Sequence, residues 1–257
     1  MKKYAVVTFL FNHYDLLREP IMVDEKVDYY CLTDDKNLKS DVWQIIYLEK
    51  MDTDKLTGVQ KTYMTKYSFY KYIPIHYEYF ICIDGSIRIK NRLSEVLDFF
   101  NKNKYDIAIG IHCERCKYID EYNAWKKYRS LKDDYINKFE QYCKDNKISS
   151  NEETGIMECT VKVFKNSEIV IELIENIYNT LLKYCNFADA NDQCYFTNEY
   201  KKYDDKLKLG LFYRQFFAGS KYLDLHYHKS TCLCPNKFIK EKINKNLFGK
   251  EREILEF

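Results

Sequence analysis

Glycine and proline are scarce in this sequence, at 7 and 3 of 257 residues. That scarcity excludes a collagen-like chain, Gly-rich loops and low-complexity segments. No P-loop (G-x-x-x-x-G-K-S/T) and no dinucleotide fingerprint (G-x-G-x-x-G) occurs. The serine hydrolase elbow G-x-S-x-G is missing too. Neither H-E-x-x-H nor H-x-E…C-x-x-C is found, which removes the zinc protease and zinc deaminase readings. Net charge is low, +2 from 41 basic and 39 acidic residues, so the basic excess of an electrostatic nucleic-acid binder is lacking. No apolar run approaches the roughly 20 residues of a membrane span.

What is present is a globular composition. Apolar residues make up 46% and aromatics 17%, values that a disordered chain does not reach. A chain of this size buries roughly 70–75% of its surface on folding, enough for a full core without staples. Ten cysteines are spread along the chain. Several lie in apolar runs and read as small buried hydrophobes, as Cys31, Cys82 and Cys159 do. The start Met1-Lys2-Lys3 precedes an apolar run too short for a signal peptide, with no small-residue cleavage site after it. The reading is a reduced, cytoplasmic protein. A four-thiolate zinc site from Cys113-Glu-Arg-Cys116 and Cys232-Leu-Cys234 would need atypical spacing, and free thiols are the preferred reading.

Strands are expected at Tyr4–Phe11, Val27–Leu32, Val42–Leu48, Tyr77–Ile83, Tyr105–Ile111 and Thr154–Phe164, with late strands at Leu207–Tyr213 and Lys221–His226. Helices are expected at Val59–Tyr72, Leu93–Asn101, Ile119–Lys147 and Ser167–Tyr184, the last with Val170, Leu173, Ile174, Ile177 and Leu181 on one face. Alternating strands and helices predict a single α/β domain with a mostly parallel sheet. The Lys-rich tail from Asn236 reads as a short helix, either solvated or touching an acidic surface or a membrane.

Four places carry candidate chemistry. In Phe80-Ile-Cys-Ile-Asp-Gly-Ser-Ile a carboxylate, Asp84, stands where a buried strand ends. Ligands of open α/β sheets bind there, and Asp84 suits a hard divalent cation that bridges a diphosphate, or else simply opens an Asp-Gly turn. Asp192 and Gln193 adjoin near the start of a short amphipathic segment, where they serve either a site or a helix N-terminus. His226-Tyr-His228 places two imidazoles on one side of an extended chain, a pattern open to metal binding. The loop from His112 to Glu121 follows a strand, and Arg115 within it is a candidate clamp for a carboxylate or phosphate.

In order, these segments resemble a glycosyltransferase-like family of plant cell-wall and mucilage proteins and bacterial polysaccharide clusters, once catalogued as a domain of unknown function. The matching segments are Val7-Thr-Phe-Leu-Phe-Asn-His-Tyr-Asp15, Tyr30-Cys-Leu-Thr-Asp34, Trp43, Lys66 with Pro74, Ile83-Asp-Gly-Ser-Ile87, the looser set His112, Arg115, Tyr118 and Glu121, then Glu153-Thr-Gly155 and Asp192-Gln193. The resemblance covers about residues 4–230. The layout is also similar to glycosyltransferase family 8, whose enzymes are retaining and metal-dependent. Ser86 stands where that family has the second Asp of Asp-x-Asp.

The resemblance implies a GT-A, Rossmann-like fold, with a nucleotide-sugar half at about 1–115, an acceptor half at about 116–230 and a tail at 231–257. It implies transfer of a sugar from a nucleotide sugar, a UDP-sugar, to a glycan or lipid-linked acceptor. Thr8, Thr33 and Asp34 would meet the nucleoside, and Lys66 would neutralise the diphosphate. Asp84, with His226 or His228 and with Ser86 contributing its hydroxyl or a water, would hold Mn²⁺ or Mg²⁺. His112, Arg115 and Glu153 would line the sugar or acceptor pocket, and Asp192 and Gln193 would sit under the anomeric carbon. A nucleotidyltransferase on a similar sheet is a competing reading, weakened by the lack of glycine in Phe9–Tyr14. A non-catalytic sugar- or nucleotide-binding module is another, and Ser86 is its best argument.

Overall fold

The computed structural model describes residues 2–49, 56–74, 76–112, 115–129, 133–149, 151, 153–187, 192–228, 246–248 and 250–257. Its framework is an eight-stranded sheet in the order β12-β8-β6-β7-β4-β1-β2-β3. The strands are β1 (Tyr4–Leu10), β2 (Val27–Thr33), β3 (Gln44–Tyr47), β4 (Tyr79–Asp84), β6 (Ile107–Ile111), β7 (Met157–Lys165), β8 (Leu209–Phe212) and β12 (Ile254–Leu255). β7 runs antiparallel to both β4 and β6, and the other pairings are parallel. The central strands are near-continuous apolar runs because both faces of the sheet are covered.

Alternation along β1 divides the core. Ala5, Val7 and Phe9 point into one cluster with Leu173, Ile174, Ile177 and Leu181 of helix α5 (Glu168–Cys185). Tyr4, Val6 and Leu10 point into the other, with Val96, Leu97 and Phe100 of α2 (Ser94–Lys102). Helices on both faces of a mixed, mostly parallel sheet make the α/β architecture that the sequence predicts.

Several elements differ from expectation. The helix expected over 59–72 is α1 (Gly58–Lys66) followed by a single 3₁₀ turn, Phe69–Lys71. Thr65 and Ser68 donate their hydroxyls back to Lys61 and Met64 carbonyls at 2.8 and 2.7 Å, and such back-bonding loosens a helix end. The long charged helix is two, α3 (Tyr118–Arg129) and α4 (Asp133–Asp145). The late strand β9 (Leu223–Leu225) is not in the main sheet. It pairs antiparallel with β5 (Ile87–Ile89), a strand that no pattern announced, in a separate ribbon. The described end of the tail is extended rather than helical. β10 (Asn246–Leu247) pairs with β11 (Lys250–Glu251), and β12 adds to the sheet edge beside β8. The rest of the expected tail helix, residues 236–245, lies outside the described residues. No helix among the described residues is long and apolar enough to cross a membrane. Among the described residues Cys31, Cys82, Cys143, Cys159, Cys185 and Cys194 are free thiols, while Cys113, Cys232 and Cys234 lie outside the described residues.

One irregularity shapes the centre. On β7, Lys162 faces Ile109 of β6, but the next β6 residue, Gly110, faces Glu158. Cys159, Thr160 and Val161 therefore bulge past β6 without counterparts there. Gly110 permits this close passage. A Cβ at Gly110 would lie 3.2 Å from both the Glu158 Cβ and its carbonyl oxygen, and 3.4 Å from the Phe217 ring. Gly110→Ala is therefore expected to destabilise the fold by about 1–3 kcal/mol through overpacking. A thermal melt should show a fall of several degrees, at roughly 2–4 °C per kcal/mol for a chain of this size.

Candidate active-site cleft

The carboxyl ends of β1, β2, β4, β6 and β8 share one sheet edge, and antiparallel β7 begins there. The strand order changes direction at β1, with β2 on one side and β4 on the other. Crevices at such points are the ligand sites of open α/β sheets. A two-lobed cleft opens at this edge. The smaller lobe, about 130 Å³, is walled by Phe9, Phe11, Tyr14, Asp15, Val59 and Gly85. The larger, about 410 Å³, is walled by Ser86, Arg115, Glu158, Thr160, Asp192, Gln193, Arg214 and His226. Tyr63, Lys66, Asp84 and His228 line both and form the waist.

Lys66 fixes the waist. Thr57 starts α1 with a capping box, in which its hydroxyl accepts from the Gln60 amide and Gln60 accepts from the Thr57 amide. Eight residues after Gly58, in the last turn, Lys66 brings its ammonium 2.9 Å from Asp84 and 3.2 Å from Asp192. Asp192 opens α6 (Asp192–Lys201), where a carboxylate also meets the positive end of the helix dipole. Tyr67 donates to Asp192 at 2.6 Å, and the Lys162 ammonium is 3.9 Å away on the far side. Burial disfavours both charged forms. Asp192 and Asp84 nevertheless hold the Lys66 pKa above its ordinary value, and Lys66, Lys162 and Tyr67 hold Asp192 below its own. Burial and the neighbouring Lys66 lower the pKa of Lys162.

A second cluster stitches three turns together. Asp15 takes Arg18 at 2.8 Å and His228 at 2.7 Å, and Arg18 also donates to the Gly85 and Tyr227 carbonyls. Burial pushes the Asp15 carboxyl up, but the bonds from His228 and Arg18 outweigh it and bring it down to about 2. On the far wall Arg115 pairs with buried Glu121, and Arg214 donates to Glu158 at 2.6 Å. Burial pushes Glu158 up to about 7 against the pull of Arg214 and Arg115.

The cleft thus gathers Lys66, Asp84, Ser86, Arg115, Asp192, Gln193, His226 and His228 from the predicted set. Others line neither lobe. Thr8 is buried within β1, and Thr33 accepts from the Asp35 amide in a local turn. Asp34 is engaged by Lys61 at 2.6 Å and by the Asn12 amide. His112 is buried, accepts from the Arg115 amide, and is held neutral by burial and by Arg115 and Arg214, at a pKa of about 3. Glu153 is 68% exposed and faces Lys117 at 3.5 Å. Lys66 stands between two carboxylates at the waist. The side chains expected to hold a cation have other partners here. Lys66 occupies Asp84, Asp15 occupies His228, and among the described residues no three His, Cys, Asp or Glu side chains are grouped as metal ligands. Glu158, Arg214 and Arg18 line or brace the cleft without being singled out by the sequence pattern, and Asp15 enters that pattern only as the end of the segment Val7–Asp15.

No family model matches the chain, and no curated protein matches its sequence. Among solved structures, it is similar to the apo form of mouse xyloside xylosyltransferase 1 at 11% identity and a TM-score of 0.42, over 80% of this chain and 84% of that one. Nothing about activity follows from a likeness at that level.

Two stability outcomes follow from the cleft. Lys66→Met leaves Asp84 and buried Asp192 without their ammonium and should cost about 3–5 kcal/mol at neutral pH in denaturant titrations. Lys66→Met combined with Asp192→Asn should recover part of that loss. The Asp15 pKa is below its unfolded value of 3.8, so its contribution is present above that value and lost as pH falls through about 2. Asp15→Asn should therefore be less stable than wild type at about pH 5, with the gap closing in acid-titrated melts at about pH 2.

Proposed function

We propose that this protein is a glycosyltransferase that moves a sugar from a nucleotide-sugar donor, a UDP-sugar, to a glycan or lipid-linked acceptor. The observation that carries this reading is the two-lobed cleft at the strand-order reversal, with Asp84, Lys66 and Asp192 at its waist. The smaller lobe offers the aromatic faces of Tyr14, Tyr63, Phe9 and Phe11, which suit a nucleobase. The larger lobe falls in the size range of small-molecule sites. Its side chains combine acids with amide, hydroxyl and guanidinium groups, the hydrogen-bonding inventory that a sugar requires.

The charges in the larger lobe are closely balanced. Arg115 faces Glu121, Arg214 faces Glu158, and Lys66 and Lys162 face Asp84 and Asp192. A neutral polyhydroxylated ring suits that environment better than a free anion does. The chain's residues then have distinct tasks. Asp192 and Gln193 stand beside the sugar and oppose the positive charge that develops at its anomeric carbon. Lys66, between the lobes, orients Asp84 and Asp192 and meets the departing diphosphate oxygen at the waist.

The test is a thermal-shift panel of nucleoside diphosphates, with UDP as the expected ligand, run in EDTA and in Mn²⁺. Ligand at about a hundred times its dissociation constant adds roughly 2.7 kcal/mol, a shift of several degrees. Release of UDP from a UDP-sugar should accompany binding. Failure to bind any nucleotide under both conditions overturns the reading. Binding without turnover of any sugar donor leaves a binding module instead.

A further inference from the structure

We propose that Glu158 accepts the proton of the acceptor hydroxyl as that oxygen attacks the donor sugar. This rests on the transferase reading above and adds a residue that neither the sequence pattern nor the resemblance assigns.

Four carboxylates line the cleft: Asp15, Asp84, Asp192 and Glu158. All four hold a cation. Asp15 holds Arg18 and His228, Asp84 holds Lys66, and Asp192 holds Lys66 and accepts from Tyr67. Glu158 differs. Its Oε1 takes Arg214 at 2.6 Å, while its Oε2 is buried and has no hydrogen-bond partner. The residue is only 3% exposed, so bulk water does not satisfy that oxygen. A buried acceptor without a donor is costly, and in a ligand-sized cleft it marks where a ligand's donor belongs. A sugar hydroxyl supplies one.

The fold places this oxygen deliberately. Glu158 is the second residue of β7, at the point where the strand bulges past Gly110, and it shares the larger lobe with Asp192 and Gln193. Arg214 fixes the carboxylate plane from the 3₁₀ turn that follows β8. The charged groups that act most on Glu158 come from four elements: Arg214 after β8, Arg115 after β6, Glu121 on α3 and Asp84 at the end of β4, and Asp192 of α6 and His226 line the same lobe. Burial exceeds the pull of the two arginines, and the carboxyl titrates near 7. A proton acceptor poised near the working pH is what general-base catalysis favours. In the step itself, the acceptor oxygen bonds to the anomeric carbon and its proton passes to Oε2 of Glu158. The bond from the anomeric carbon to the diphosphate oxygen breaks, and its electron pair leaves with the nucleoside diphosphate.

The experiment uses the full chain with UDP-glucose, UDP-galactose and UDP-N-acetylglucosamine, water serving as acceptor, and follows UDP release from about pH 5 to pH 9. For the wild type, kcat/KM should rise with pH through about 7 and then level, since the base works deprotonated. Glu158→Gln should lower kcat by about 10²–10⁴-fold with KM unchanged and should lose the ascending limb. Its UDP-induced thermal shift should equal that of the wild type, which separates lost chemistry from lost folding. Glu158→Asp, which keeps the base, should retain the limb at a reduced rate. Arg214→Met removes a group that lowers the Glu158 pKa and should move the limb to higher pH. Wild-type turnover in Glu158→Gln, or a rise in KM alone with the limb intact, overturns the proposal while leaving the transferase reading standing. A wild-type chain that neither binds UDP nor releases it from a donor brings down both.

Discussion

The interaction on which the rest of the site depends is the buried Lys66 ammonium between Asp84 and Asp192. Each of these groups comes from a different element: the last turn of α1, the end of β4 and the first turn of α6. An unpaired charge at such depth would cost several kcal/mol, so the three elements have to meet. Their local chemistry already favours the meeting. A lysine complements the C-terminal end of a helix, and an aspartate complements the N-terminal end. Tyr67, the next residue, then spends its hydroxyl on Asp192. The waist of the cleft is thus a structural joint before it is a chemical one.

That joint also divides the labour among the acids. Asp192, which holds the same ammonium at 3.2 Å, makes a firm wall but a weak base, because Lys66, Lys162 and Tyr67 lower its proton affinity. The Asp15 cluster does the same at the outer rim, where Arg18 reaches the Gly85 and Tyr227 carbonyls and binds the turns after β1 and β4 to the chain after β9. With the acids of the waist and rim fixed in this way, the proposed proton transfer falls to the buried acid whose second oxygen has no hydrogen-bond partner.

The α/β class and most of the strands were legible because they rest on apolar runs and their alternation with helices, which short windows report well. Asp84 was legible because a lone acid ended such a run, and Asp192 and Arg115 because they stood near element ends. Other features depended on distance. β5 is three residues long, and nothing local says that Ile87–Ile89 will pair with Leu223–Leu225. Asp34 lines neither lobe and is held by Lys61 and the Asn12 amide, partners that are far away in sequence. Glu153 precedes a strand that starts later than expected, so it stays exposed beside Lys117. Glu158 did leave a signal: Met157-Glu-Cys-Thr-Val-Lys-Val-Phe164 places a Glu and a Lys inside an otherwise buried strand. Both are buried there and find partners that no local pattern reports: Arg214 after β8 for Glu158, and for Lys162 the Asp192 carboxylate of α6 beside the Cys159 carbonyl of β7 itself.

The direction of β7 explains why that strand supplies this acid. Parallel strands reach this sheet edge with their carboxyl ends, where β4 finishes at Asp84 and β6 and β8 turn away into segments carrying Arg115 and Arg214. Such segments bring side chains over the edge from outside. β7 runs the opposite way and meets the edge with its first residues, so Met157 and Glu158 are still held by pairing to Ile111 and Gly110. A side chain in a paired strand is held more rigidly than one in a loop. The bulge at Cys159–Val161 then re-aims the strand just beyond the acid, which is a recurring use of bulges beside sites. Gly110 is the condition for it, since a side chain there would press on the Glu158 backbone. The glycine of β6, the reversed strand and the buried acid form one device, in which backbone geometry sets where the acid stands and burial sets how strongly it holds a proton.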